Sequence, residues 1–182
     1  MAKTVKRFER LMPFRIRDIL LVSSSYDHYV LAEDGHLTEL MTDEFAQLNL
    51  SHAPRIVHVN SAEEALDLMK KWRFDLIITM MRVGEMTAEE FGNNAKKISP
   101  EVEVVLLTHN SRELASIGTS EAIDRIFVWS GNTQLMVAII KLVEDEKNVT
   151  HDIKIGNIPV LLLVEDSRRF YSSYLPKLYE EI

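Results

Sequence analysis

The chain has no cysteine among its 182 residues. Disulfide bonds, thiol nucleophiles and cysteine-ligated metal sites are therefore excluded, and the sequence carries no mark of its redox compartment. Glycine is scarce, with 6 residues, and no glycine-rich loop follows an apolar run, so a cradle for nucleotide phosphates is not indicated. The six histidines are scattered without metal-ligand spacing. We expect no cofactor and no metal site.

Excess basic charge and long apolar runs are also missing. The formal net charge of -7 argues against a nucleic-acid-binding surface, because phosphate neutralisation needs clustered lysine and arginine. The apolar run at 19–22 is too short for a signal peptide or a membrane span, so we expect a cytoplasmic protein with no membrane partner. One basic stretch is predicted to form a solvated arm, with a contact site as the alternative; it comprises Lys3, Lys6, Arg7, Arg10, Arg15 and Arg17.

Short apolar runs alternate with helical patterns along most of the chain. Strands are predicted at 19–22, 55–59, 74–79, 102–108 and 125–129, and helices at 26–50 with a break near Gly35, from 61, from 87, at 110–117 and at 132–147. Two of the helices open on capping boxes, at Ser61 and Thr87. This alternation predicts an α/β fold with a doubly wound, five-stranded parallel sheet. Such sheets bind ligands outside the carboxyl ends of their strands.

The start of the first strand is half-repeated near the end of the chain. Residues 18–25, DILLVSSS, reappear as IPVLLLVEDS at 158–167, where Glu165 and Asp166 stand in place of serines. We therefore predict a basic arm at 1–14, a complete domain at 15–147, a polar linker at 148–157, and the first strand and helix of a truncated second domain at 158–182. An apolar strand at 158–164 is expected to join an edge of the first sheet or to pair with another copy of the chain.

Three segments, in the right order, resemble the receiver domain of bacterial two-component response regulators. Residues 75–86, DLIITMMRVGEM, resemble the third strand and the loop after it, residues 104–108 the fourth strand with its terminal hydroxyl, and residues 61–66 the start of the second helix. The resemblance covers roughly residues 15–147. It implies the flavodoxin/CheY-like fold and a part in two-component signal transduction or a phosphorelay.

The resemblance breaks at the residues that carry the family's chemistry. Receivers are phosphorylated on an aspartate at the end of the third strand, with Mg²⁺ held by acids after the first strand. This chain has Met80 at the acceptor position, Ser23 and Ser24 in place of the acids, and Trp129 in place of the lysine that contacts the phosphoryl group. A thioether is neither a hard nucleophile nor a ligand for a hard cation, so an acyl phosphate cannot form on it.

With Thr108 as the last polar residue of the family pattern, these positions define a degenerate phosphoacceptor site without a catalytic residue. Rescue by Asp27, or by Thr79 as an unusual acceptor, is the alternative. Glu165 and Asp166 match the Mg²⁺ ligands of an ordinary receiver, but two acids before a helix are equally typical of a plain helix N-terminus.

Trp129 has two interpretations of its own. It either fills the space that the missing phosphoryl site leaves, or forms with Phe127 an interaction surface for a partner or a dimer.

Several segments, including ITMM at 78–81, FVWSG at 127–131 and VEDSRRFYSS at 164–173, also resemble the N-terminal region of large bacterial proteins. In those proteins, receiver-like domains precede a module similar to phosphoenolpyruvate synthase and pyruvate phosphate dikinase.

The sequence thus predicts a non-enzymatic signalling module, a pseudo-receiver that acts through contacts with following domains of its own polypeptide, a protein partner or a second copy. The alternative is a regulatory part of an ATP-dependent phosphotransferase. A further alternative is a small-molecule sensor, which requires a cavity beside Met80 and Thr108.

Overall fold

The computed structural model describes residues 11–31, 37–47, 53–109 and 121–181. Its strands are β1 (Asp18–Val22), β2 (Arg55–Val59), β3 (Leu76–Met80), β4 (Arg82–Val83), β5 (Met86–Thr87), β6 (Glu103–Thr108) and β7 (Arg125–Val128). Its helices are α1 (Ser25–Leu31), α2 (Leu37–Gln47), α3 (Ala62–Met69), α4 (Ala88–Ile98), α5 (Gln134–Gly156) and α6 (Arg168–Glu181). The predicted break near Gly35, the predicted helix at 110–117 and the basic residues before position 11 lie outside the described residues.

Five strands form one parallel sheet in the order β2-β1-β3-β6-β7. The central strand β3 is buried along its whole length, as expected for a parallel strand with both faces covered. One hydrophobic cluster on one face includes Ile19, Ile78 and Val143, and a second cluster on the other includes Leu20, Ile77 and Phe91. Successive side chains of a strand point to opposite faces, so each strand contributes to both clusters. The predicted α/β fold is confirmed.

The helix starts follow the predicted caps. The Thr87 hydroxyl accepts a bond from the backbone of Glu90, and the Glu90 carboxylate accepts one from the backbone of Thr87, which is a complete capping box. Ser61 accepts from the backbone of Glu64 at 3.2 Å, but the Glu64 carboxylate reaches back to the amide of Asn60. In the Ser61 capping box, the bond from the Glu64 carboxylate therefore ends on Asn60, one residue before the cap residue. The small hairpin of β4 and β5 was not predicted.

Helix α5 extends well past its predicted end. It continues to Gly156 rather than ending near 147, so residues 148–156 are helical and do not form the predicted linker. Two polar residues of the predicted linker, Asn148 and Asp152, are buried instead, and with Glu144 they lie four residues apart on one helix face. They bind the backbone of the segment before β1, and this pairing stabilises the added turns.

The segment 158–164 corrects a second expectation. It forms no strand and joins no edge of the sheet, and Leu162 and Val164 are 83% and 81% exposed. The helix predicted after it is present as α6, which packs against α5 and β7. Leu175 of α6 is buried in the same core cluster as β1 and α5. The backbone N–H of Val128, at the outer side of β7, donates to Oγ of Ser172 at 2.9 Å. A helix therefore covers the edge that a strand was expected to extend.

Candidate functional site

Four neighbouring strands bring the predicted site residues to one edge of the sheet. The register pairs Val22 of β1 with Thr79 of β3, Met80 with Leu107 of β6, and Thr108 with Val128 of β7. Ser23, Met80, Thr108 and Trp129 therefore lie at or just beyond the carboxyl ends of adjacent strands. This is the edge where parallel α/β sheets bind their ligands.

Ser23 is fully buried and is held by β2. Its backbone N–H donates to the Val59 carbonyl at 3.2 Å, which extends the β1–β2 pairing by one residue. Nε2 of His58 lies 3.1 Å from both the Ser23 carbonyl and the Ser23 hydroxyl. Because a carbonyl oxygen only accepts, Nε2 of His58 carries the hydrogen in the neutral ring. The Ser23 side chain is therefore bound within the protein rather than directed toward a ligand.

Ser24 caps α1 and orients an acid beside it. Its hydroxyl donates to Oδ2 of Asp27 at 2.7 Å and accepts the Asp27 backbone N–H at 3.0 Å. The other Asp27 oxygen lies 3.6 Å from Nε2 of His109, the residue after β6. Asp27 thus links the turn after β1 to the end of β6. Sequence reasoning did not predict this link, because His109 carried no signal beyond its place after Thr108.

Met80, Thr108 and Trp129 are almost entirely buried. Met80 and Trp129 belong to the same hydrophobic cluster and are each 4% exposed. The Trp129 backbone N–H donates to the Thr108 carbonyl at 2.8 Å, whereas the indole Nε1–H is buried without a hydrogen-bond partner among the described residues. Phe127 is also buried, with its ring 5.9 Å from that of Tyr171. This packing favours the space-filling interpretation of Trp129, because neither aromatic ring is exposed to a partner.

Two histidines stack beside Ser23. The rings of His28 on α1 and His58 on β2 lie 3.8 Å apart and are nearly parallel. Within the part of the chain that the structure describes, Nδ1 of His28 is buried without a hydrogen-bond partner. Burial, and secondarily the neighbouring His58 ring, lower the pKa of His28, since both disfavour its charged form. The sequence signal that could have found this pair is a histidine one residue from the end of β2.

The donor set of this edge does not fit Mg²⁺. That ion binds through oxygen ligands, with one or two carboxylates in a typical protein site. Among the described residues of this edge, the Asp27 carboxylate already contacts Ser24 and His109, and Met80 offers only a buried thioether. Thr79 is fully buried and donates to the Met80 carbonyl at 3.3 Å. Within the described residues, no three histidine or acidic side chains are grouped as metal ligands.

The acids of the second copy lie at the start of α6. Oε1 of Glu165 accepts the backbone N–H of Ser167 at 2.9 Å, and Asp166 is exposed. This local bond is typical of the residues that precede a helix. The geometry matches the simpler of the two interpretations of these acids.

A groove of about 690 Å³ opens at the opposite end of the sheet. None of its lining residues belongs to the carboxyl edge, so this groove is not the cavity beside Met80 and Thr108 that the small-molecule sensor alternative requires. The residues that line the groove include Phe14, Trp72, Arg73, Phe74, Ile98 and Lys147. No helix in the part of the chain that the structure describes has the length and apolar character needed to span a membrane.

The sequence matches no family model and no curated protein. Solved structures do match. A response regulator receiver domain protein from Clostridium thermocellum aligns with a TM-score of 0.56 and 18% identity over 74% of this chain and 99% of that chain. A response regulator from Thermotoga maritima in complex with Mg²⁺-BeF aligns with a TM-score of 0.53 and 21% identity, over 70% of this chain and 99% of that chain.

A third structure belongs to a family of redox sensors in the streptococci, described as evolved from two-component response regulators. It aligns with a TM-score of 0.55 and 16% identity over 84% of this chain and 59% of that chain. These likenesses are too distant in sequence to carry function, but they agree with the strand order β2-β1-β3-β6-β7. The chain has the fold of response-regulator receiver domains.

Proposed function

We propose that this protein is a signalling module that is not phosphorylated at its receiver-type site and acts through protein contacts. The observation that carries the proposal is Met80. It ends β3, the strand whose end bears the acceptor aspartate in the receiver family, and its side chain is buried in the same hydrophobic cluster as Trp129. A buried thioether offers no oxygen for acyl phosphate formation.

The residues around Met80 support the proposal independently. Ser23 is bound to His58, and Ser24 is bound to Asp27, so both residues in place of the acidic pair are engaged in internal hydrogen bonds. Trp129 occupies the end of β7 with an apolar ring where the family has a lysine. An incoming phosphoryl group would meet no positive side chain at that position, and transfer of this group depends on charge stabilisation.

A function through protein contacts also agrees with the packing of the rest of the fold. Both faces of the sheet carry well-buried clusters, so the sheet is packed on both sides although the carboxyl edge lacks the family's acceptor aspartate, acidic pair and lysine. The streptococcal redox sensors, described as derived from response regulators, are an example of this fold used with another signal. In the present chain the fold serves as a scaffold that is fixed in one state and acts through its contacts.

The test is phosphorylation of the chain by acetyl phosphate in the presence of Mg²⁺, followed by intact mass spectrometry. We expect no added phosphoryl group. In parallel, amide NMR spectra are recorded before and after addition of Mg²⁺ and beryllofluoride, and we expect unchanged resonances at Ser23, Met80, Thr108 and Trp129. The Thermotoga maritima response regulator, solved with Mg²⁺-BeF, is the positive control for the beryllofluoride experiment.

A phosphoryl group located on Asp27, Thr79 or either serine would overturn the proposal. So would beryllofluoride-dependent shifts confined to the carboxyl edge. The variant Met80→Asp is a further test of the proposal. It restores an acceptor carboxylate at the end of β3 but not the family's acidic pair at Ser23 and Ser24 or its lysine at Trp129. We expect it to remain unmodified, because an isolated carboxylate in this site has no cation to assist transfer.

A further inference from the structure

The groove at the amino-terminal end of the sheet, hereafter the amino-end groove, has the dimensions of a ligand site. Its lining comes from both faces of the sheet: the ends of α3 and α4 lie on one face, and Lys147 of α5 lies on the other. Its volume of about 690 Å³ falls within the range of roughly 300–1,000 Å³ that is typical of small-molecule sites. The size therefore favours a small ligand over a folded partner.

An exposed tryptophan forms part of the lining. Trp72 is 58% exposed, and its ring is held in place because the Arg55 guanidinium lies 5.7 Å from the ring centroid. Arg55 is itself bound to Asp18 at 2.7 Å. Phe14, also in the lining, has Nζ of Lys147 5.6 Å from its ring centroid. An exposed tryptophan in a fixed position is a typical anchor for an aromatic or apolar group.

The charged residues of the lining are mostly basic, although the chain as a whole has a formal net charge of -7. Four are basic and two acidic: Lys70, Lys71, Arg73 and Lys147, against Asp75 and Glu101. Asp75 is already engaged, because its Oδ2 accepts the backbone N–H of Arg17 at 2.8 Å and that of Asp18 at 3.1 Å. Glu101 is exposed and opposes the basic residues. A concave surface with an excess of one charge sign concentrates its field, so the groove favours an anion.

The helix dipole explains only part of this basic charge. Lys70 caps α3 and is bound to Asp67 at 2.8 Å, and Lys71 lies in the turn that ends α3, where a basic side chain complements the dipole. That effect is limited to the last helical turn. Arg73 lies four residues beyond the end of α3, and Lys147 lies nine residues before the end of α5. Their presence in the lining needs another reason.

Arg73 and Lys147 are also weakly engaged within the protein. Among the residues that the structure describes, no carboxylate forms an ion pair with Arg73. Lys147 lies 4.0 Å from Glu103, which Arg125 binds more closely, at 2.9 Å. The positive charges of both side chains are therefore available to a ligand.

We propose that the amino-end groove binds a small aromatic anion. The ring of the ligand packs on the apolar lining at Trp72, and the charges of Arg73 and Lys147 attract its acid group. A guanidinium can bind a carboxylate or a phosphate through two parallel hydrogen bonds, so both acid groups belong to the proposed class. The site lies at the end of the sheet opposite to Met80, and the inference does not depend on whether the chain is phosphorylated.

Isothermal titration calorimetry of the 182-residue chain tests the proposal with probes that separate ring from charge. Naphthoate and naphthyl phosphate carry both, naphthol is uncharged at neutral pH, and acetate and inorganic phosphate have no ring. We expect saturable binding of at least one naphthyl acid, with a dissociation constant at least about tenfold lower than that of naphthol, acetate or inorganic phosphate. The tighter of the two naphthyl acids shows whether the groove is built for a carboxylate or a phosphate.

Substitutions of opposite charge effect test the role of the basic lining. Arg73→Gln should weaken binding of the naphthyl acid about fivefold, because it removes a charged hydrogen-bond donor. Glu101→Gln should strengthen binding, because it removes the exposed acid that opposes the ligand. Lys177→Gln, at an exposed position of α6 outside the groove, is the matched control and should leave the dissociation constant unchanged.

The two tryptophans of the chain allow the bound probe to be located by NMR. The indole N–H resonance of Trp72 should shift on addition of the naphthyl acid. That of Trp129, which is 4% exposed and lies at the carboxyl edge, should not. Trp72→Phe removes one of the two resonances and so assigns them.

Four results would overturn the inference. The first is a lack of saturable binding by either naphthyl acid, which would leave the groove to another occupant, such as an acidic peptide. The second is binding of naphthol, acetate or inorganic phosphate as tight as that of the naphthyl acids. The third is an equal loss of affinity in Arg73→Gln and Lys177→Gln. The fourth is a shift at Trp129 without one at Trp72. Arg73 is exposed, so its substitution is not expected to unfold the chain, and circular dichroism verifies this.

Discussion

The side-chain amide of Asn148 and the backbone of Phe14 exchange two hydrogen bonds across 134 residues of sequence. The Phe14 N–H donates to Oδ1 of Asn148 at 2.9 Å, and Nδ2 of Asn148 donates to the Phe14 carbonyl at 2.8 Å. Glu144 and Asp152 repeat the contact one helical turn to either side, by accepting from the backbone N–H of Ile16 and Met12.

The spacing of these contacts has a simple geometric origin. Four residues of α-helix rise about 6 Å, and two residues of extended chain cover about 6.6 Å. Polar residues at every fourth position of α5 therefore meet alternate residues of the segment before β1. Burial makes these hydrogen bonds important for stability. A buried backbone group that lacks a partner has lost its hydrogen bonds to water and gained none in the protein.

Asn148→Ala is expected to lower the free energy of unfolding by roughly 1–3 kcal/mol, since it leaves the Phe14 N–H and carbonyl without partners. Urea denaturation measures the change. Asn93→Ala, at an exposed position of α4, is the control and should change stability by no more than about 0.5 kcal/mol. Equal effects of the two substitutions would mean that the bonds to Phe14 do not stabilise the fold.

The sheet could be predicted from the sequence because its signals are local. Each strand is a short apolar run, and each of the two capping signals, at Ser61 and Thr87, lies within four residues. Such features need no knowledge of distant residues. The end of α5 was predicted wrongly for the opposite reason: Asn148 and Asp152 look like linker residues until Phe14 and Met12 are placed beside them.

The candidate site also has some features that the sequence predicts and others that depend on contacts between distant residues. The positions of Ser23, Met80, Thr108 and Trp129 at one edge follow from strand order alone. The bond between Ser23 and His58 does not, because it joins residues 35 positions apart through side chains that carry no spacing signal. The failure of 158–164 to form a strand is also non-local, since α6 covers the sheet edge next to it.

The hydroxyl of Ser172 is expected to hold α6 on the edge of β7. It accepts the Val128 N–H and donates to the Arg168 carbonyl of its own helix. Ser172→Ala should lower the free energy of unfolding by about 0.5–1.5 kcal/mol and speed hydrogen exchange at the Val128 amide. Ser173→Ala is a matched control, because Oγ of Ser173 donates to the Arg169 and Phe170 carbonyls of α6 itself. Unchanged exchange at Val128 in Ser172→Ala would contradict the prediction.

The stacked histidines predict a loss of stability on acidification. The pKa of His28 is lowered by burial first and by His58 second, so the folded state favours the neutral ring. The stability that the neutral His28 ring contributes is fully present above the unfolded-state pKa of about 6.5. It is lost as the pH falls through the lower folded-state pKa. Urea denaturation across this range should show falling stability, and a proton NMR titration of His28 should give a midpoint below its ordinary value.

His28→Phe separates titration from packing. Phenylalanine keeps an aromatic ring against His58 but cannot be protonated, so the acid-dependent loss of stability should be smaller than in the wild-type chain. Asp27, next to His28 on α1, is engaged with Ser24 and His109 and is unchanged in this variant. An identical pH dependence in the two proteins would assign the loss to other groups.

Trp129 should behave as a space-filling residue whose indole nitrogen contributes nothing favourable. Trp129→Ala leaves a cavity in the hydrophobic cluster that contains Met80 and is expected to cost about 3–5 kcal/mol of unfolding free energy. Trp129→Phe retains most of the ring contacts and also removes a buried Nε1–H that has no partner among the residues at 11–31, 37–47, 53–109 and 121–181, so its cost should be clearly smaller. Trp72→Ala, at a side chain that is 58% exposed, is the control and should have the smallest effect. If Trp129→Phe were as damaging as Trp129→Ala, the indole nitrogen would have a hydrogen-bonding role, and space-filling would not explain why this edge of the sheet carries a tryptophan.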